Sequence, residues 1–316
     1  MRVIVTGSCG YKGSVLVPKL IAAGHEVTGI DTCWFSTNMP KSCALTIGDI
    51  RDITSLPEAD AIIHLAGIAN DPCGELDGRL TWEVNVWATM RLAEMSIAAG
   101  IKQFIFASSA SVYGLKDNKP VIETDTMAPV SDYNKTKQAA ERVLLSYADQ
   151  MAIQLVRPAT VCGLSPRMRL DTMVNMLTVQ ALEKGEITAH CGEHGGSLMR
   201  PNTHIEDVTD LYLFMLQHPE LTGAYNAGFE NISAMETAEI IASIIPAKIH
   251  ITKVKDKRSY AVSSQKLLRA GFKPKWTVRN AIEQIAKAYA GGHLKPDETM
   301  TNLAWMRKNG WVSETR

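Results

Sequence analysis

The sequence predicts a doubly wound α/β sheet of parallel strands with a smaller, mixed α/β lobe behind it. Three observations carry this reading. Short apolar runs alternate with amphipathic stretches through residues 1–160. A glycine-rich run, Val5 to Gly13, links the first apolar run to the first helical one. Beyond Arg157-Pro158 the alternation gives way to mixed elements and longer loops. Repeated strand–helix units build a parallel sheet with helices on both faces.

Strands are read at Arg2–Thr6, Glu26–Ile30, Ala44–Ile47, Ala59–His64, Gln103–Ala107 and Ala152–Arg157. Each is short and nearly continuous in apolar residues, as in a strand buried on both faces. Helices are expected between them at Gly13–Ala23, Thr81–Ala99 and Tyr133–Gln150. Gly24 and Gly100 follow two of these, where a left-handed C-cap is wanted. Further on, helices are expected near Thr172–Lys184, Glu206–Gln217, Ala234–Ile244, Ser263–Ala270 and Val278–Ala290, with a last amphipathic one at Thr299–Gly310. Residues 1–160 are expected to form a nucleotide-binding unit that carries the reacting groups. Residues 161–316 are expected to form a substrate lobe, partly interwoven with the first unit.

Composition excludes several classes of function. The chain has 316 residues, 46% hydrophobic and 21% charged, with formal net charge +0. That balance offers no electrostatic footprint for nucleic acid or an anionic membrane. No apolar run approaches the ~20 residues of a membrane span. Met1-Arg2 leads straight into the first strand, so no signal peptide is expected. The six cysteines form no C-x-x-C pair and read as reduced thiols of a cytoplasmic protein. His190, Cys191 and His194 cluster in sequence but read as a polar loop, and no metal is expected.

Gly7, Gly10 and Gly13 are spaced G-x-x-G-x-x-G between a strand and a helix. Such a turn lets backbone approach a pyrophosphate, which rests on the helix N-terminus. Asp31 ends the second strand, where a carboxylate accepts hydrogen bonds from both adenosine-ribose hydroxyls and repels a 2′-phosphate; the pair indicates NAD rather than NADP. Tyr133 and Lys137 form Y-x-x-x-K, placing both side chains on one helix face. A tyrosine titrating near ~10 is a poor base at neutral pH, and a nearby ammonium is expected to favour the phenolate. Ser108, Ser109 and Ser111 follow the fifth strand, at the edge where ligands bind in open α/β sheets.

Together these residues resemble the extended short-chain dehydrogenase/reductase family, in its NAD-dependent sugar-nucleotide epimerase/dehydratase branch, a Rossmann-type fold. The resemblance covers nearly the whole chain. It includes Thr6–Gly13, Gly48-Asp49-Ile50-Arg51-Asp52, His64-Leu65-Ala66-Gly67, Asn85-Val86, Ser108 to Gly114, Tyr133/Lys137 and Arg157-Pro158-Ala159-Thr160-Val161. It implies Ser109, Tyr133 and Lys137 as catalytic residues. It implies a cofactor site of Gly7, Gly10, Tyr11, Lys12, Gly13, Asp31, Asp49, Ile50, Leu65, Ala66, Gly67, Asn85, Ala107, Tyr133, Lys137 and Pro158. Substrate contacts implied are Ser109, Ser111, Thr160, Arg167, Arg169, Thr172, Arg200 and Arg258, the arginines pairing with a nucleotide-sugar diphosphate. A homodimer is also implied, through the helices holding Asn85 and Tyr133, with Val86, Met90, Ala140, Val143 and Leu144 as apolar candidates.

The implied reaction begins with oxidation of a sugar hydroxyl, at C4, with Tyr133 as base. An epimerase then returns the hydride to the other face; a dehydrogenase or decarboxylase releases the oxidised product. A 4,6-dehydratase of this branch carries Asp-Glu where this chain has Ala110-Ser111. A non-catalytic NAD-binding scaffold is the alternative of another class, opposed by the presence of Ser109, Tyr133 and Lys137. Lys12 departs from the pattern, standing where the loop has an apolar residue. Arg200 is followed by Pro-Asn-Thr-His-Ile rather than Asp-Tyr/Phe-Ile-His-Val, and the run Ser165–Asp171 resembles relatives acting on bacterial surface sugars, including nucleotide-linked heptoses.

Overall fold

A computed structural model describes residues 1–116, 119–193, 196, 198–254 and 259–310. The strands are β1 (Arg2–Thr6), β2 (Glu26–Asp31), β3 (Ala44–Ile47), β4 (Ala61–His64), β5 (Gln103–Ala107), β6 (Pro120–Val121), β7 (Ala152–Pro158), β8 (Thr160–Cys162), β9 (Glu186–Gly192), β10 (Met199–His204), β11 (Gly223–Ala227), β12 (Glu230–Ser233), β13 (Lys248–Val254) and β14 (Ala261–Val262). Seven of them form the main sheet in the order β11-β7-β5-β4-β1-β2-β3. All of its pairings are parallel. Every carboxyl end therefore opens on one edge, and the order reverses beside β1, where the glycine turn lies.

Two apolar layers cover the sheet. One packs Leu16, Val17 and Leu20 of the first helix with Leu211, Tyr212 and Met215 of the helix Ile205–Gln217. The other packs Leu92, Ala140 and Leu144 against Ile4, Ile62, Phe104 and Phe106. The central strands β4 and β5 are buried along their whole length, which explains their unbroken apolar runs.

The seventh strand comes from residues 223–227, and the helix Ile205–Gln217 covers the same sheet. Both lie well past residue 160, inside the stretch expected to form the second lobe. That lobe is built on β12-β10-β8, on the pair β13-β9 and on helices Met173–Lys184, Ala234–Ala242 and Val278–Ala290, which share a core of their own. The expected long helix from Thr81 is three segments: Gly78–Trp82, a π-helical turn at Glu83–Trp87, and Ala88–Ala98. The helix at Tyr133 runs Asp132–Leu145 and stops short of Gln150. Ser131 caps it, accepting from the Asn134 N–H at 3.2 Å. The C-terminal helix Asn302–Lys308 returns to the first unit, where Met306 joins the core and Trp305 stacks on Trp34 at 5.3 Å.

A buried network fastens the last strand in place. Arg157 on β7 makes a two-pronged bond to Glu141 of the helix Asp132–Leu145, at 2.8 and 2.6 Å. It also donates to the Tyr113 hydroxyl at 2.7 Å, and Tyr113 donates to Asn226 on β11 at 2.8 Å. Removing one partner leaves the other charge buried and uncompensated. Arg157→Met is expected to cost about 3–5 kcal/mol, and the double change with Glu141→Leu less than the single one. Denaturant unfolding of the three proteins checks this; a loss no larger than a surface substitution would sink it.

Candidate active site

The carboxyl edge of the sheet opens into a crevice of about 940 Å³ between the two lobes. The glycine turn forms its floor. Gly7 has φ +70, and a Cβ there would lie 2.7 Å from the Ala66 nitrogen; a Cβ on Gly13 would meet the Gly7 carbonyl oxygen at 2.2 Å. Only glycine permits this packing of turn, helix and β4 loop. Tyr11 donates to the Gly163 carbonyl at 2.7 Å and accepts from Asn175 at 3.0 Å, pinning the turn to the second lobe.

Asp31 is held by two backbone donors. The Cys9 N–H reaches one carboxylate oxygen at 2.9 Å and the Cys33 N–H the other at 2.7 Å. Burial pushes its pKa up, opposed by those two hydrogen bonds. Among the described residues, Cys9, Asp31 and Cys33 form a group of three possible metal ligands. Both Asp31 oxygens are engaged by backbone donors, and a closed soft-metal site takes four ligands. His190 and Cys191 lie on β9, and His194 falls outside the described residues.

Ser109, Tyr133 and Lys137 line the same crevice. Ser109 Oγ is 2.7 Å from Ser111 Oγ, and Ser111 donates to Asn134 Oδ1. Burial raises the Tyr133 pKa, while a hydrogen bond with Ser109 and the Arg169 charge pull it down. Lys137 donates to the Ala107 carbonyl at 2.9 Å, and burial lowers its pKa to about 8. Its ammonium is thereby tethered to the end of β5.

Asp49, Ile50, Leu65, Ala66, Gly67, Ala107 and Pro158 line the crevice as expected, as do Gly10, Lys12, Thr160, Thr172 and Arg200. Asn85 does not. It is 1% exposed and holds both the N–H (2.9 Å) and the carbonyl (3.0 Å) of Ile68. These bonds tie the loop after β4 to the π-helical turn. Arg167 lines the crevice, but its donors go to Met168, Thr299 and Asn302, and its guanidinium lies 3.8 Å from the Phe35 ring centroid. Arg169 pairs with Asp171 at 2.8 Å. Although burial opposes it, Arg169 holds the Asp171 carboxyl below its ordinary value. Arg258 lies outside the described residues.

Several functional positions lay beyond motif reading. Asn134, Glu141, Asn175 and Asn302 act through partners remote in sequence. Thr172 begins the helix Met173–Lys184 without capping it, and its buried Oγ1 has no hydrogen-bond partner among the described residues. That leaves a donor at the crevice beside unpaired helix N–H groups.

Residues 3–228 match the NAD dependent epimerase/dehydratase family. The chain belongs to this family. Members therefore share its cofactor, NAD, and the glycine turn, Asp31 and Lys137 fit it: a cradle that a Cβ would fill, a fixed carboxylate and a tethered ammonium. Among family members, a UDP-glucose 4-epimerase of Corynebacterium glutamicum is 27% identical, covering 92% of this chain and 95% of that one. An uncharacterized UDP-glucose epimerase, YtcB, of Bacillus subtilis is 30% identical over 77% of this chain and 82% of its own. The solved structure of MoeE5 with UDP-glucuronic acid and NAD superposes with a TM-score of 0.80 at 26% identity, covering 92% of this chain and 100% of that chain. Among the described residues no helix is long and apolar enough to cross a membrane.

Asp31→Ser is expected to weaken NAD binding more than NADP binding, because it removes both the ribose acceptor and the charge that repels a 2′-phosphate. Calorimetric titration with the two dinucleotides checks this. An unchanged preference would place the ribose contact elsewhere.

Proposed function

We propose that this family member is a nucleotide-sugar 4-epimerase. The carrying observation is the set Ser109, Tyr133 and Lys137 in a crevice whose neighbouring positions, Ala110 and Ser111, offer no second acid/base pair. The similarity to UDP-glucose 4-epimerases supports the same reading.

NAD, when bound, supplies a two-electron acceptor that returns what it takes. The protein's residues supply the rest. Ser109 holds the sugar oxygen while Tyr133 removes the hydroxyl proton, with Arg169 and Lys137 favouring the charged phenolate. The resulting 4-keto sugar turns over within the crevice. Tyr133 then gives the proton back to the oxygen formed on the opposite face. Thr172 Oγ1, the N–H groups of the helix it precedes, and Arg200 are the donors proposed for the substrate diphosphate.

Tyr133→Phe is expected to lower turnover by about 10²–10⁴-fold while leaving NAD bound. Incubation with UDP-, GDP-, dTDP- and CDP-sugars, read by NMR, checks the outcome: a C4-inverted product without accumulating NADH supports the epimerase. Stoichiometric NADH with released oxidised sugar would replace it with a dehydrogenase.

A homodimer is proposed through the face carrying Trp87, Trp82 and Leu145, which are 60%, 37% and 45% exposed. Val86, Ala140 and Leu144 are buried, Ala140 and Leu144 in the core that covers the sheet. Trp87→Arg is expected to shift the protein toward monomer in sedimentation velocity; an unaltered dimer would locate the interface elsewhere.

A further inference from the structure

Lys12 interrupts the glycine turn, and neither the fold nor the proposed chemistry uses its side chain. It sits at the N-cap of the helix Gly13–Ala22, whose first turn carries no acidic residue, and its side chain makes no capping bond. Its ammonium has no hydrogen-bond or carboxylate partner among the described residues. What it faces is the ring of Tyr212, with the centroid 5.9 Å away. The Tyr212 hydroxyl is itself buried without a partner. The charged groups that bear on Lys12 are Lys137 and Arg169, both positive. Asp31, at the far side of the turn, is already engaged by the Cys9 and Cys33 N–H groups. A partly buried cation among cations, at a helix start with no resident carboxylate, lacks a counter-charge among the described residues.

We propose that the missing counter-charge is the dinucleotide's diphosphate: Lys12 adds a side-chain ion pair to a seat otherwise made of backbone N–H groups. In the free protein the charge is destabilised, burial first and then Lys137 and Arg169 lowering the Lys12 pKa to about 7. Binding the diphosphate raises it again. Dinucleotide binding is therefore coupled to proton uptake. The contribution of Lys12 is fully present below pH about 7 and declines as pH rises from there toward the pKa of the complex.

The test titrates the full chain, depleted of nucleotide, with NAD, ADP-ribose and adenosine. K12M keeps the length of the side chain and restores the apolar character of the turn; K12R keeps the charge. Expected is a loss of about tenfold or more for NAD and ADP-ribose in K12M, no change for adenosine, and recovery of most of the affinity in K12R. At pH 8, calorimetry in two buffers of different ionisation enthalpy should show more proton uptake for wild type than for K12M. The uptake left in K12M belongs to Lys137, which titrates at about 8. Nucleotide-free K12M should also melt above wild type at pH 6, because an uncompensated charge has been removed. Unchanged ADP-ribose affinity in K12M would overturn the proposal, as would equal loss of adenosine, which marks a damaged turn. A loss confined to UDP binding at saturating NAD would overturn it in favour of the substrate's diphosphate.

Discussion

Arg157 and Glu141 meet in the interior with side chains 5% and 1% exposed, and the rest of the site is hung from that pair. Glu141 lies one helical turn beyond Lys137, on the helix that also carries Tyr133. Arg157 lies on the strand next to β5, whose end carries the serines. The two-pronged bond therefore fixes the catalytic helix to the sheet in rotation as well as in distance. Ser108 donates to the same carboxylate, so the serine turn is tied to the pair directly. Two desolvated charges are costly to bury, and the geometry is tolerable only because nearly every donor and acceptor around them is used.

The crevice depends on a second set of ties, between lobes. Ser165 Oγ donates to the Tyr11 carbonyl at 2.8 Å and sits 2.9 Å from Ser14 Oγ. Asn70 donates to Asp171 at 2.9 Å, and the Asn302 N–H reaches the same carboxylate at 3.3 Å. These join the glycine turn, the loop after β4, the second lobe and the C-terminal helix at one wall. The run Ser165–Asp171 thus serves the architecture as much as any ligand: Arg167 is spent on the C-terminal segment, and Arg169 on Asp171.

The sheet, the glycine turn and the Ser–Tyr–Lys set were legible because each is local. An apolar run, a glycine spacing and an i, i+4 pair are properties of neighbouring residues. What was not legible is what depends on distant partners. Asn85 carries the right motif, but its bonds to Ile68 depend on a loop seventeen residues away. Lys137 shares a helix face with Tyr133 by spacing, but its bond to the Ala107 carbonyl is set by where β5 ends. Val86, Ala140 and Leu144 were plausible surface residues by pattern and are core by geometry. The C-terminal helix was recognised as amphipathic, but nothing in its periodicity says that Trp305 stacks on Trp34.

The late position of β11 has a consequence for how the chain reaches its native state. The sheet's outer strand is synthesised some seventy residues after its neighbour β7, with the second lobe's first helix and three of its strands in between. Until Asn226 arrives, the Tyr113 hydroxyl lacks its acceptor and β7 presents an unpaired edge beside apolar surface. Closure of that edge is a long-range event, of the kind that slows folding and leaves partly built sheets prone to associate. The second lobe therefore begins before the main sheet is finished.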